Sequence, residues 1–341
     1  MRVLIIGCRG FIGQAIAAST SARGIETFGL GRSASDEINR AWNYVQADRT
    51  DYDGIRDILE RNDIDGVIDV IPMVLSDTRP LLTAFEGKIE QYVMISSADV
   101  YANYELLHKK SAGTPLTDAA DERSRLRTSL YPYRLPEART LEDPKQYLDN
   151  YDKIPIERAV QELACAWTIL RLPMVYGPGD RQRRFRWAIA PMLKGVESLS
   201  LPRAWAEWTT TYGYIENVGA AIASTVGQHQ AYGEIFNVAE ESPVSQLSWA
   251  KRFAQATSWQ GVIEVSDDPS HPILEQTAAI DLDVPFKIDG HHLRKTLNFI
   301  DPVDEAAALA RTIESEAARS IDPPLVVLPP RQAQQNPHQV R

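Results

Sequence analysis

Cysteine is nearly missing: the 341 residues hold two, Cys8 and Cys165. Two thiols cannot build a disulfide framework, and no Cys/His grouping has zinc-ligand spacing, so no metal site is expected. No apolar run approaches the roughly 18 residues of a membrane span. Arg2 leads directly into a short apolar strand with no signal-peptide core, which makes a cytoplasmic protein with no membrane partner the expectation. Positive charge is in deficit too. A formal charge of −10 and a pI near 5.2 set a mean field that repels polyanions, so no nucleic-acid partner is expected. No internal repeat of solenoid length is present. The chain is long enough for one large domain or two, with a core to match.

What the sequence does have is concentrated at its start, M-R-V-L-I-I-G-C-R-G-F-I-G. Residues 3–6 form an apolar run, Gly7, Gly10 and Gly13 follow, and Phe11, Ile12, Ala15 and Ile16 recur at helical spacing. The glycines therefore lie on a strand-to-helix turn. There the backbone can turn tightly and approach an anion, and the free N–H groups of a helix start bind its charge. A nucleotide phosphate is the expected ligand. Cys8, inside the turn, reads as a small filler.

Further strands are predicted at 26–30, 43–46, 66–71 and 91–96, with helices at 51–61 and 76–85 between them. This alternation predicts an α/β fold, a Rossmann-type doubly wound parallel sheet covered by helices on both faces. Ligands of such sheets bind at the carboxyl ends of strands. At the end of the second strand, a site that reads NAD carries an acidic residue for the adenosine ribose; here stands Gly29-Leu30-Gly31-Arg32-Ser33. Arg32 and Ser33, joined by Arg9 from the glycine turn, suit a 2′-phosphate, so NADP is the expected cofactor and NAD the second choice. Asp48, ending the third strand, either receives the adenine amino group or is a helix cap or loop residue.

The next strand ends in Ser96-Ser97-Ala98-Asp99-Val100-Tyr101. Together with the glycine turn, Lys153-x-x-x-Glu157, the stretch Leu170-Arg171-Leu172-Pro173-Met174-Val175-Tyr176-Gly177-Pro178-Gly179 and Tyr214-Ile215-Glu216-Asn217-Val218, this resembles the extended short-chain dehydrogenase/reductase family, in its NAD(P)-dependent epimerase/dehydratase branch. The matches fall in family order across residues 1–310. The resemblance implies hydride chemistry at a secondary alcohol or carbonyl of a small-molecule substrate. It implies that Ser97 bonds the substrate oxygen, that a tyrosine moves the proton, and that Lys153 binds the nicotinamide ribose while stabilising the tyrosinate. It also places Pro173 near the nicotinamide. A phenol near pKa 10 is a poor base at neutral pH unless a cation stabilises its anion, which is the reason for the pairing.

The tyrosine departs from the family pattern. Four residues before Lys153 stands Asp149, whereas Tyr151 is two away. Pro155 is comfortable only in a first helical turn and Asp152 is a good N-cap, so the helix is predicted to begin near Lys153, with Tyr151 ahead of it and free to turn inward. Tyr151 is the first choice for proton carrier. Tyr147, Tyr131 and Tyr133 stay open, as do Asp149 or Asp99 as base. The rival to an enzyme is a non-catalytic dinucleotide-binding sensor or interaction protein.

The expected layout is a dinucleotide-binding domain at 1–175, in which 102–150 is an insertion or lid, a mainly substrate-binding lobe at 176–320 and a disordered Pro/Gln-rich tail at 321–341. A homodimer is an open alternative for the assembly. Arg181, Arg183, Arg184 and Arg186 form a basic cluster that either holds an anionic substrate or lies on a solvated helix face. The resemblance implies that sugar-nucleotide members of the branch usually carry an arginine for the diphosphate where this chain has Trp208-Thr209-Thr210-Thr211-Tyr212-Gly213; Arg203 or the basic cluster is the alternative, so the substrate class stays open.

Overall fold

Alternate side chains of the first strand, β1 (Arg2–Ile6), enter different cores: Val3 and Ile5 one, Leu4 and Ile6 the other. A strand apolar on both sides must be covered on both sides, and the computed structural model, which describes residues 1–33 and 42–319, shows that cover. The chain runs β1, α1 (Phe11–Ala22), β2 (Glu26–Gly31), β3 (Asn43–Gln46), α2 (Tyr52–Arg61), β4 (Gly66–Asp69), α3 (Leu75–Phe85) and β5 (Gln91–Ser97). After the short α4 (Ala102–Leu107) and a long irregular stretch come α5 (Lys153–Gln161) and β6 (Ala166–Leu172). The described strands of the main sheet number seven and lie in the order β11-β6-β5-β4-β1-β2-β3, all paired parallel, where β11 is Glu234–Asn237. The predicted α/β doubly wound sheet is therefore present.

Residues beyond 175 serve both parts of the molecule. β11 completes the large sheet and α8 (Ile215–Ala223) packs on α1. The rest builds a smaller lobe: β7 (Met174–Tyr176) pairs with β10 (Tyr212–Tyr214), β8 (Ser198–Pro202) with β13 (Val262–Ser266), and β9 (Thr209–Thr210) with β12 (Val244–Ser245). Helices α6 (Arg186–Leu193), α7 (Arg203–Glu207), α9 (Gln246–Ala256) and α10 (Pro272–Thr277) surround these pairs. At its centre Tyr176 meets Phe185, Tyr212 and Trp249 edge to face, and Phe253 packs tilted against Phe185. Two further helices, α11 (His291–Leu297) and α12 (Glu305–Ala317), close the described chain, and the 321–341 tail lies outside the described residues. Among the described residues no helix is long and apolar enough to cross a membrane.

The 102–150 stretch is tied down along its length. Glu105 accepts hydrogen bonds from the backbone N–H groups of Thr128 (3.1 Å) and Ser129 (2.9 Å), Asn103 donates to Leu116 and Pro285, and Arg127 forms a buried ion pair with Asp152. Each anchor satisfies backbone or charge that an irregular segment cannot satisfy through regular ladders.

Candidate active site

The carboxyl ends of β1, β2, β4, β5 and β6 face one cleft edge, and the glycine turn lies there. Gly7 has φ +90°, a conformation that disfavours any side chain. Gly10 is the N-cap of α1 and contributes no side-chain cap, so the first-turn N–H groups of Phe11, Ile12 and Gly13 have no intrahelical acceptor. At Gly13 a Cβ would overlap the Gly7 carbonyl and lie 2.8 Å from the Cys8 Cα, so only glycine lets the helix sit this close. An open anion cradle results, and its chemistry fits a dinucleotide pyrophosphate. The Phe11 ring borders Gly179, linking the cradle to the Tyr176-Gly177-Pro178-Gly179 turn, and Pro173 packs beside Gly213. Burial pushes the Cys8 thiol up to about 11, which suits a filler and not a nucleophile.

Arg32 and Ser33 are exposed just past β2. The Arg9 guanidinium reaches the Ser33 carbonyl at 3.4 Å, while Gln46 donates to the Arg32 carbonyl at 3.0 Å and Tyr44 to that of Ser33 at 2.5 Å. Both arginines thus stand at the end of one strand. Asp48 is exposed and accepts from the Thr50 N–H (2.9 Å) and hydroxyl (2.8 Å), which hold its carboxyl below the usual range. Of the two roles in its alternative reading, cap or loop residue, the cap falls to Asp51, which accepts from Gly54 at 3.1 Å, and Asp48 lies in the loop between β3 and α2. The helix begins one turn later than a cap at Asp48 would need.

At the end of β5 lie the candidate catalytic groups. Ser97 Oγ accepts the Asp99 N–H at 3.2 Å, the strand-end role, and a hydroxyl that accepts keeps its own hydrogen to donate. The helix α5 starts at Lys153 with Asp152 as N-cap, as predicted. Tyr151 precedes it in an antiparallel bridge with Val74, and that extended backbone, not helical spacing, sets its direction. Its phenol donates to Asp99 Oδ2 at 3.0 Å, and the Lys153 ammonium lies 5.6 Å from its ring centroid. Lys153 is buried and donates to the carbonyls of Pro72 (2.8 Å) and Ile95 (3.0 Å), leaving a third N–H; burial lowers it to about 8. Ser97, Tyr151 and Lys153 are thereby brought together.

Asp99 is the hub of this site, a residue the sequence offered only as a fallback base. It is 3% exposed, and burial raises its carboxyl above the usual range. Tyr133 also donates to Asp99 Oδ2, at 3.0 Å, and its ring lies edge-on to Tyr151 with centroids 5.0 Å apart. Burial, together with the nearby Asp99 charge, pushes both phenols well above 10. A standing tyrosinate is therefore disfavoured here. The other candidates do not converge: Asp149 is ion-paired with Arg139, Tyr147 is exposed, and Tyr131 stacks on Arg134.

The basic cluster divides. Arg183 pairs with Glu316 and Arg184 with Asp180, whereas Arg181 is exposed. Arg186 is buried, and none of its guanidinium nitrogens has a hydrogen-bond partner among the described residues. The His291-His292 pair is split between Asp289 and Glu234. Among the described residues no group of three or more His, Cys, Asp or Glu is placed to hold a metal.

The sequence profile of the NAD dependent epimerase/dehydratase family matches residues 3–239, which includes the glycine turn, Ser97 and Lys153. The chain belongs to this family. Among solved structures it is similar to UDP-glucuronic acid 4-epimerase from Bacillus cereus, in complex with UDP-glucuronic acid and NAD, at 18% identity and a TM-score of 0.63, covering 93% of this chain and 99% of that one. It is likewise similar to dTDP-glucose 4,6-dehydratase from Bacillus anthracis in complex with NAD, at 14% identity and a TM-score of 0.65, covering 93% and 96%. Among curated relatives it is 25% identical over 213 residues to the chloroplast stem-loop binding protein of 41 kDa b of Arabidopsis thaliana, covering 62% of this chain. The chain spans about half the length of that relative, 48%. The family membership and the doubly wound fold read from the sequence both hold.

Proposed function

We propose that this family member is an NAD(P)-dependent enzyme that acts by hydride transfer at a secondary alcohol or carbonyl of a small, polar, sugar-derived substrate. The observation that carries the reading is that Ser97 and Tyr151 both bond Asp99, through its N–H and its carboxylate, while the buried Lys153 ammonium donates to the Ile95 carbonyl of the same strand end and lies 5.6 Å from the Tyr151 ring centroid, despite the shortened tyrosine-to-lysine spacing. The nicotinamide ring, when bound, supplies the acceptor or donor of hydride. The chain's own part is to hold the substrate oxygen at Ser97, to move its proton at Tyr151, and to fix the ribose end with Lys153. The test is turnover by the purified protein on UDP-glucose, UDP-glucuronic acid and neutral carbonyl compounds, with Lys153→Ala as the blank. Dinucleotide binding with no turnover across that panel would favour the sensor reading.

NADP is the proposed preference, supported by Arg9 and Arg32 at one strand end and by the missing carboxylate; the similar solved structures hold NAD, which makes the test pointed. Arg32→Ala is expected to weaken NADPH binding by about 10- to 100-fold, the weight of one charge-assisted contact, and to leave NADH binding unchanged. Fluorescence titration measures both, and equal NADPH affinity in the variant would end the assignment.

For the substrate we infer an anionic group held at Arg186, the one buried member of the basic cluster. A guanidinium buried with no opposing carboxylate is a cost to the fold. Arg186→Met is therefore expected to leave stability unchanged or raise it by about 1–4 kcal/mol, while removing the thermal protection given by UDP. Destabilisation in urea unfolding would show that Arg186 holds structure instead.

A further inference from the structure

We propose that Asp99 terminates a proton relay through Tyr151, and that Tyr133, delivered by the 102–150 segment, is the positioning residue that holds Asp99 for it. This rests on the hydride-transfer reading above. Tyr151 and Tyr133 donate to the same oxygen, Asp99 Oδ2, each at 3.0 Å. The other oxygen, Oδ1, is buried with no hydrogen-bond partner among the described residues. The Asp99 backbone is pinned on both sides, its N–H on Ser97 and its carbonyl on the Arg127 Nε at 2.9 Å. A carboxylate held this way has one strong acceptor already engaged by the proton carrier.

The arrangement resolves a chemical difficulty. With Asp99 beside it, Tyr151 cannot wait as a phenolate, yet oxidation of an alcohol requires its proton to leave. In the relay the substrate O–H breaks as an O–H forms on the Tyr151 oxygen, and the original Tyr151 O–H breaks as one forms on Asp99 Oδ2. Tyr151 is neutral before and after, and the carboxylate ends as a carboxylic acid. The dinucleotide is the co-reactant for the carbon's electron pair, so atoms and charge balance. Reduction runs the same transfers in reverse.

The groups that face Asp99 set its pH behaviour: Tyr151, Tyr133 and Tyr104 around the carboxyl, and the cations Arg127 and Lys153. Burial raises Asp99 and these cations oppose the rise. Oxidation needs Asp99 ionised and Lys153 protonated, so its rate climbs as Asp99 ionises and falls again as Lys153 loses its proton near pH 8.

The test needs no known substrate. The isosteric Asp99→Asn removes the charge beside both phenols, so tyrosinate absorbance is expected to develop at lower pH than in the wild type. That added signal should shrink in Asp99→Asn/Tyr151→Phe, leaving only the share of Tyr133. Tyr133→Phe removes one donor to the carboxylate, and the infrared carboxylic-acid band absent from Asp99→Asn is expected to titrate about one to two pH units higher. Tyrosine titration that is indifferent to Asp99→Asn, or a carboxyl band indifferent to Tyr133→Phe, would overturn the proposal. Failure of the relay thus shows in the titrations, and failure of the hydride reading shows in the turnover panel.

Discussion

Glu157→Ala is expected to remove about 3–5 kcal/mol of stability, a large part of the roughly 5–15 kcal/mol that separates a folded domain from its unfolded chain. Glu157 projects from α5 under the sheet and accepts from Arg171 of β6 through Nε (3.0 Å) and Nη2 (2.7 Å), and from the Ser96 hydroxyl of β5 at 2.5 Å. Arg171 then uses Nη1 on the Tyr101 hydroxyl and the Glu122 carbonyl, and Tyr101 donates on to Asn237 of β11 at 2.7 Å. One carboxylate therefore neutralises the cation that ties β5, β6, β11 and the irregular segment together. Both charges are almost wholly out of water. Without Glu157 the guanidinium cannot escape by losing its proton, because its ordinary pKa is already far above any working pH, and its ion partner is gone. Glu157→Gln, which keeps a hydrogen-bonding shape and loses the charge, should fall between. Replacing both partners by methionine should cost less than Glu157→Ala alone, since no charge is then stranded. Urea unfolding measures all three, and a loss below about 1 kcal/mol for Glu157→Ala would mean that water reaches Arg171 and the pair is not the staple described.

This explains why part of the site was legible in the sequence and part was not. Lys153-x-x-x-Glu157 places two residues on one helical face, and local rules also located the start of that helix, through Asp152 and Pro155. They could not say that Lys153 turns toward the cleft and Glu157 toward Arg171, because that depends on which strand lies beneath. The same limit hid Asp99. In the sequence it is an acidic residue after a strand; its importance comes from Tyr133 and Tyr151, which are 34 and 52 residues away. Tyr133 was one of several open tyrosines because nothing in an irregular segment has a period. Its position is set by long-range anchors such as Arg127 on Asp152. The first five strands of the main sheet were legible because each is a local apolar run flanked by helical spacing, whereas β11 lies in the stretch expected to be mainly the substrate lobe and joins the main sheet beside β6 instead. The parallel pairing of β8 with β13 was not, since short strands so distant in sequence carry no mutual signal.

Two glycines of the opening turn, Gly10 and Gly13, identical as letters, are expected to fail in different ways when replaced. Gly13→Ala should destabilise the protein by about 1–3 kcal/mol, the usual cost of forcing an added carbon into a packed site, and should also weaken NADPH binding. Alanine would ordinarily favour a helix by about 1 kcal/mol over glycine, so the sign depends on the clash. Here the obstacle is the backbone of Gly7 and Cys8, which no side-chain rotation can move aside. Gly10→Ala meets only the Gly7 carbonyl, at 3.3 Å, and sits at φ −73°, which any residue adopts. Its unfolding should shift by no more than about 1 kcal/mol, the cost of a poorer N-cap and of a backbone oxygen that must give slightly. Its NADPH affinity should nonetheless fall by about tenfold or more, because this glycine lies where the backbone must approach a pyrophosphate. Stability and binding therefore separate at Gly10 and move together at Gly13. Unfolding curves and NADPH titrations on the two variants read both quantities. A Gly10→Ala protein that binds NADPH like the wild type would place the pyrophosphate elsewhere, and the cradle would then be only a tight junction between β1 and α1.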